Sequence, residues 1–383
     1  MALFKTPEYT LIGSKALEEA KPYLKKCGKK ALIVTGKHVV LSDMMAELKK
    51  ALEEIGIAYF VFDGITGEPT NVMIDEGIAA YKENGCDFCI GIGGGSPLDS
   101  AKAIAAMITN EGKIADYNGK VIEKPIPPVV AIPTTAGTGS EATQFTVITD
   151  VEKDIKMLLK GGYLVPKIAI VDSAYTYSAP KSITAATGMD ALTHAIEAYT
   201  SRKALPVTDT LAVSAVKRIM KYLPAAYKDG SDEKARYEMS VASYEAGICI
   251  NNSTVTLVHG MSRPIGALFH VAHGISNAML LTKCLAFALD GAYEKFANLG
   301  REIGAATAED DDKTASEKFI EALNEICKIC EIPTLLEYGI PKDEFFAHME
   351  KMAHDALTSG SPGNTMKPIS EQDIIEIYKK LWE

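Results

Sequence analysis

The feature that most constrains this chain is a change of pattern halfway along it. Up to about residue 180, short apolar runs alternate with stretches of helical spacing; beyond that point helical spacing alone remains. Residues 31–35, 57–62, 88–92 and 129–132 are short, apolar and bounded by turn residues, so they read as buried strands. Ser42 is placed to cap a helix that runs to about Ile55 and stops at Gly56. Thr70 or Asn71 opens a second helix, stopped at Gly85, and a third covers about 98–109. Strands alternating with helices imply a parallel sheet covered on both faces. Segments 184–200, 207–222, 233–250 and 314–330 repeat apolar residues at three- and four-residue spacing. The spacing predicts an α/β domain over 1–180 and an all-helical domain over 181–383. The break falls near Ala179, Pro180 and Lys181, because proline disfavours helix in the residue before it. Residues 357–370, rich in Ser, Gly, Pro and Asn, read as a loop.

Composition narrows the functional class. A net charge of −10 argues against nucleic acid or an anionic membrane as partner. No run approaches the roughly 18 apolar residues of a membrane span, and Met1 to Thr10 lacks the apolar core of a signal peptide. The 7 cysteines are odd in number and scattered, which suits reduced thiols in the cytoplasm better than a disulfide framework. Cys86 and Cys89 fall in a strand, where residues three apart face opposite ways. Cys327 and Cys330 fall in a helix among Phe319, Leu323 and Ile326 and read as core, so neither CxxC spacing predicts zinc.

Two loops follow predicted strands. Gly93, Gly94, Gly95, Ser96 and Pro97 join the third strand to a helix. Bare backbone lets a phosphate come close, and a helix N-terminus offers it unpaired N–H groups and a positive dipole end. Ser96 adds a hydroxyl donor, and Asp99 can complement the dipole or bond the ligand. Alone, this turn also reads as tight helix–strand packing. Thr134, Thr135, Ala136, Gly137 and Thr138 follow the next strand and crowd hydroxyls at the same sheet edge, as a dinucleotide site at a switch point requires.

In the helical half, Asp190 and His194 lie four apart and share a helix face. His259 and His273 follow, with His270 between them. One carboxylate and three imidazoles suit Fe²⁺ or Zn²⁺ with a position left for substrate. Spacing alone leaves isolated core or surface histidines as an equal alternative. Glu197, a turn beyond His194, reads either as support for the ligands or as an ordinary helix-surface acid.

The segments GGGSPLDSAK (93–102), PTTAGTGSEAT (133–143), ATGMDALTHAIEAY (186–199) and HGMSRPIGALFHVAHG (259–274) resemble the signatures of iron-containing alcohol dehydrogenases, in their order and spacing, and the tail at 369–382 fits as well. The resemblance covers essentially the whole chain. It implies a dinucleotide-binding α/β domain, an all-α domain of the dehydroquinate synthase-like type, and an active site in the cleft between them. It puts metal on Asp190, His194, His259 and His273, and pyrophosphate on Gly94, Gly95 and Ser96. Further cofactor contacts fall to Asp99, Thr134, Thr135, Thr138 and Lys156. It implies a homodimer, with residues 1–13 supplying an edge strand. The implied reaction is hydride transfer between a small primary alcohol or aldehyde and a nicotinamide cofactor, with the metal as Lewis acid.

This chain also departs from that pattern. Arg263 stands where many relatives carry another histidine; it reads as an ion-pair partner or as a guanidinium holding an anionic substrate group, which tilts the expectation toward semialdehydes. His270 is then a candidate proton relay or a core histidine. Gly36 ends the first strand where NAD-preferring relatives carry aspartate; with Lys37 adjacent it predicts NADP(H) over NAD(H), tempered by Glu68. Phe145, Ile250 and Leu357 align with pocket positions in relatives and equally read as core. A dehydroquinate-synthase-like lyase would need more basic residues near the ligands. Glycerol dehydrogenase uses one aspartate with two histidines. A non-catalytic, self-associating protein on the same scaffold would not need all four ligands and both loops.

Overall fold

The computed structural model describes residues 3–153 and 155–383. The chain divides into two compact units that part between Ala179 and Pro180.

The first unit is built on six parallel strands: β1 (Tyr9–Ile12), β2 (Lys30–Val34), β3 (Ala58–Phe62), β4 (Phe88–Gly93), β5 (Val129–Pro133) and β8 (Ile168–Val171). They lie in the order β1-β8-β5-β4-β2-β3. An antiparallel hairpin, β6 (Phe145–Asp150) and β7 (Ile155–Lys160), forms a second small sheet. The helices are α1 (Ala16–Leu24), the single turn α2 (Lys37–Val40), α3 (Asp43–Glu54), α4 (Asn71–Glu83) and α5 (Gly95–Thr109). Every residue of β4, β5 and β8 is buried, as strands covered on both faces must be. Alternation along β2 shows the two faces. Ile33 joins the core with Leu24 and Leu48, whereas Leu32 and Val34 join Ile74 and Ile104.

The helix signals hold in detail. Ser42 accepts from Met45 N at the start of α3, and Thr70, not Asn71, accepts from Met73 N at the start of α4. Gly56 and Gly85 follow those helices with φ +75° and +61°, where an L side chain would be strained. Helix α5 departs from the expectation: it begins at Gly95 rather than near Leu98, so the glycine turn itself enters the helix. β1, β8 and the hairpin are strands that the sequence pattern does not predict. β1 and β8 have four residues each, too few to display a period.

The second unit is helical: α6 (Lys181–Tyr199), α7 (Pro206–Lys228), α8 (Glu233–Asn252), α9 (Leu257–Phe269), α10 (His273–Ala288), α11 (Tyr293–Glu302), α12 (Asp312–Ile329), α13 (Leu335–Tyr338), α14 (Lys342–Thr358) and α15 (Glu371–Lys380). Helix α6 is buried around nearly its whole circumference and packs against α7, α8 and α10. Helix α10 meets it closely because residue 274 is glycine: a Cβ there would stand 2.3 Å from the Ala186 carbonyl oxygen. The loop at the C-terminal end starts only after Thr358, where α14 stops. The Cys327 and Cys330 thiols are pushed up to about 12 by burial, so they pack as neutral thiols. No helix among the described residues is long and apolar enough to cross a membrane.

Candidate metal centre and nucleotide-binding loops

In the second unit, three helices deliver side chains to one point. Asp190 and His194 come from α6, His259 from the first turn of α9, and His273 from the first residue of α10. Asp190 Oδ1 lies 3.6 Å from His259 Nε2, 3.7 Å from His273 Nε2 and 3.8 Å from His194 Nε2. Donors each about 2.1 Å from a common ion are at most about 4.2 Å apart, so these separations suit one transition ion. Within this set, Asp190, His259 and His273 bring one ligand atom each to within 4.8 Å of one another. The His194 ring stacks on His259 with centroids 4.6 Å apart, and His259 tilts against His273. Asp190, His194 and His259 are buried, whereas the His273 side chain is 46% exposed, which makes it the open side of the cluster.

Glu197 sits beneath the cluster, fully buried. One carboxylate oxygen accepts from Thr256 Oγ1 at 2.8 Å and Val258 N at 2.6 Å; the other meets His259 Nδ1 at 2.5 Å. The second contact holds the Nδ1 proton, which makes Nε2 the nitrogen that a metal would take. Burial alone would lower the His259 pKa, but the Glu197 and Asp190 carboxylates push it up to about 9, so a metal that binds there displaces the Nε2 proton. Burial would raise Asp190, but the three facing imidazoles hold it well below the usual carboxylate range. Glu197 is therefore a support of the cluster, not a surface acid.

The other expected residues of this unit lie nearby in the chain. Arg263, one turn after His259 on α9, donates from Nη1 to Ser361 Oγ at 3.1 Å. His270 is exposed and ends α9 in the left-handed conformation, at φ +53°.

In the first unit, the sheet order reverses at β2 and β4, and three loops leave the carboxyl ends of β2, β4 and β5 side by side. Gly36 follows β2. A Cβ there would stand 2.8 Å from the Ile65 carbonyl oxygen, so any side chain requires a backbone shift. Gly93, at φ +146°, turns the chain from β4 into α5. Gly94 is the N-cap and no side chain caps the helix, so the first-turn N–H groups are available to an anion. The two loops interlock. Thr134 N donates to Gly93 O at 2.8 Å, and Cβ atoms on Gly94 and Gly95 would run toward Thr135 and Thr138 at 3.7 and 2.9 Å. Ser96 lies partly exposed in that first turn.

Asp99 faces inward. Its carboxylate accepts from Ser140 Oγ at 2.5 Å and Val147 N at 2.8 Å, tying α5 to the second loop and to β6. Beside it lies Lys102, fully buried, with Nζ donating to Ser140 Oγ, Thr143 Oγ1 and Phe145 O at 2.8, 3.1 and 2.9 Å. Burial lowers Lys102 to about 8 and raises the neighbouring buried Glu141 to about 7. Lys156, exposed on β7, pairs with the exposed Glu68 at 2.7 Å.

Residues 7–173 match the model of iron-containing alcohol dehydrogenases, and residues 184–382 match the model of that family's C-terminal region. The chain belongs to the iron-containing alcohol dehydrogenase family. This family comprises oxidoreductases acting on alcohols. The chain is 38% identical to an NAD-dependent methanol dehydrogenase of Bacillus methanolicus, over 99% of each protein. It is 37% identical to alcohol dehydrogenase 4 of Saccharomyces cerevisiae strain YJM789, over 99% of this chain and 98% of the relative. A solved 1,3-propanediol oxidoreductase superposes with a TM-score of 0.95 at 34% identity, covering 100% of both chains.

Sequence reasoning missed Lys102, Glu141 and Asn277 and left Glu197 undecided. The signals were weak but present: Asn277 is one helical turn beyond His273, and Glu197 one turn beyond His194.

Proposed function

We propose that the protein is a metal-dependent alcohol dehydrogenase, acting also as an aldehyde reductase, that moves hydride between a small primary alcohol or aldehyde and a nicotinamide cofactor. The observation that carries this reading is the meeting of Asp190 with the Nε2 atoms of His194, His259 and His273 within 3.8 Å. That donor set fits Fe²⁺ or Zn²⁺, which supplies Lewis acidity toward an alcohol or aldehyde oxygen. Glu197 fixes the tautomer of His259, and the exposed edge of His273 is where substrate approaches. The N–H groups at the start of α5, with Ser96, take the pyrophosphate, while Thr134, Thr135 and Thr138 shape the second wall of that pocket. Asp99 and Lys102 hold the two loops in register, and Lys156 reaches the cofactor from the hairpin. His270, exposed just ahead of His273, relays the alcohol proton to solvent.

Two finer readings belong to the same proposal. Gly36 supplies no carboxylate to repel a 2′-phosphate, and Lys37 beside it is exposed, which supports use of NADP(H) in preference to NAD(H). Arg263, a turn from His259, supports a substrate carrying an anionic group, such as a semialdehyde. A cytoplasmic homodimer completes the reading; dimerisation is supported by β1, which pairs with β8 on one side only among the described strands.

The test is aldehyde-dependent oxidation of NADPH and NADH, without oxygen, on metal-stripped protein with Fe²⁺ or Zn²⁺ restored. Turnover that returns with metal supports the reaction; no turnover with any short-chain aldehyde, despite bound metal and cofactor, refutes it. A kcat/KM with NADH above that with NADPH removes the Gly36 argument. Equal kcat/KM for succinic semialdehyde and butanal removes the role given to Arg263.

A further inference from the structure

We propose that Asn277 is a positioning residue of the metal centre, holding Asp190 in the orientation that completes the ligand set. Asn277 is on α10, fully buried, one turn beyond His273. Its amide nitrogen lies 2.8 Å from Asp190 Oδ1, 3.1 Å from His259 Nε2 and 3.2 Å from His273 Nε2. One side-chain atom thus touches ligand atoms from α6, α9 and α10, and those are the atoms that face one another across the cluster.

The amide has one chemically sensible orientation. Its three neighbours are a carboxylate oxygen and two imidazole nitrogens. Oxygen turned inward would meet the nearest of them, the Asp190 carboxylate oxygen at 2.8 Å, acceptor against acceptor, so the nitrogen faces inward and donates to Asp190. A carboxylate oxygen has two acceptor directions. Asn277 occupies one on Oδ1 and leaves the other toward the imidazoles, which fixes the rotation of the carboxylate. The amide oxygen, meanwhile, is buried with no hydrogen-bond partner among the described residues. A leucine of similar size would carry no such penalty. The unsatisfied oxygen is what a residue chosen for packing would avoid; the three ligand contacts of the nitrogen are what a residue chosen for the metal centre would keep. Asparagine at 277 therefore acts through Asp190 and not through the core.

This inference rests on the metal reading above. Its test compares wild type, N277L and N277A. Zn²⁺ affinity is measured by competition with a chromophoric chelator, the Co²⁺-loaded absorption spectrum is recorded, and the Tm of each metal-stripped protein is determined. Expected is a 10- to 100-fold weaker Zn²⁺ Kd in both variants, with shifted Co²⁺ bands and a metal-stripped Tm for N277L at or above wild type. N277A removes the same donor without steric demand, so a folding defect peculiar to leucine does not mask the result. Unchanged Zn²⁺ affinity and Co²⁺ spectrum in both variants, with a lowered Tm, would show that Asn277 only fills space and overturn the inference. Wild type that fails to bind Zn²⁺, Fe²⁺ or Co²⁺ would instead overturn the metal reading itself and the inference with it.

Discussion

Replacing Glu197 by glutamine exchanges one carboxylate oxygen for an NH₂ group, and the contacts around that carboxylate determine the consequence. Glu197 Oε1 accepts from Thr256 Oγ1 and Val258 N, with His259 N at the longer distance of 3.4 Å, while Oε2 faces only His259 Nδ1. In E197Q the amide can point its oxygen at the backbone donors or at the imidazole. Turning the NH₂ toward Thr256 and Val258 would leave buried donors unsatisfied, at about 1–3 kcal/mol each. The oxygen therefore keeps the Oε1 place and the NH₂ takes that of Oε2. Nδ1 of His259 must then accept, so the proton that the ring keeps sits on Nε2, the nitrogen that a metal would take. Restoring the ligating tautomer opposes metal binding. Loss of such a supporting contact weakens metal affinity about 10- to 100-fold, or about 1.4–2.8 kcal/mol. The assay is chelator competition for Zn²⁺ at constant pH, with the far-ultraviolet circular dichroism spectrum as a check that E197Q is folded. A folded E197Q whose Zn²⁺ Kd stays within about twofold of wild type would refute the tautomer argument.

Three further outcomes rest on the same geometry. Lys102→Met removes a buried ammonium from three acceptors and leaves Asp99 without its cation at 3.9 Å; denaturant unfolding should show a loss of about 3–5 kcal/mol, and a loss below about 1 kcal/mol would contradict the clamp assigned to it. Glu141 has its pKa raised by burial from 4.5 to about 7, so its neutral form stabilises the fold below pH 4.5 and that contribution is lost as pH rises through 7. Glu141→Gln should therefore match wild type near pH 4 and exceed it at pH 8 by up to about 3 kcal/mol, at 1.36 kcal/mol per pKa unit; identical pH–stability curves would refute the shift. Gly274→Ala drives a Cβ against the Ala186 carbonyl oxygen, separating the helix of His273 from that of Asp190. It should lower stability by about 1–3 kcal/mol and weaken Zn²⁺ binding together, and a thermal melt with unchanged Tm would show that the helices yield without strain.

Several elements are legible in the sequence because their signals are local. Caps at Ser42 and Thr70, the glycine stops, the glycine turn after β4 and the shift to helical spacing near residue 180 depend on the conformational limits of a few adjacent residues. The candidate ligands are nameable for a different reason: spacing leaves them undecided, and the resemblance of four segments to one family selects which histidines to choose. The helix of Asp190 and His194 is readable as a shared face, since four residues make about one turn.

The chain by itself thus determined its element types, its two-part division and the residue types available for chemistry. The tertiary structure alone decided which of them meet. Glu197 reads equally as a support of the ligands or a helix-surface acid until α9 brings His259 Nδ1 to it. Asn277 shows only its place one turn beyond His273 until α6, α9 and α10 converge on its amide. Lys102 and Glu141, charged and so expected outside, lie inside because β6 and the loop before it fold over α5. Propensities and caps act over one or two turns of chain, whereas hydrogen bonds between residues some 40 to 90 positions apart exist only once packing has fixed the helices around them.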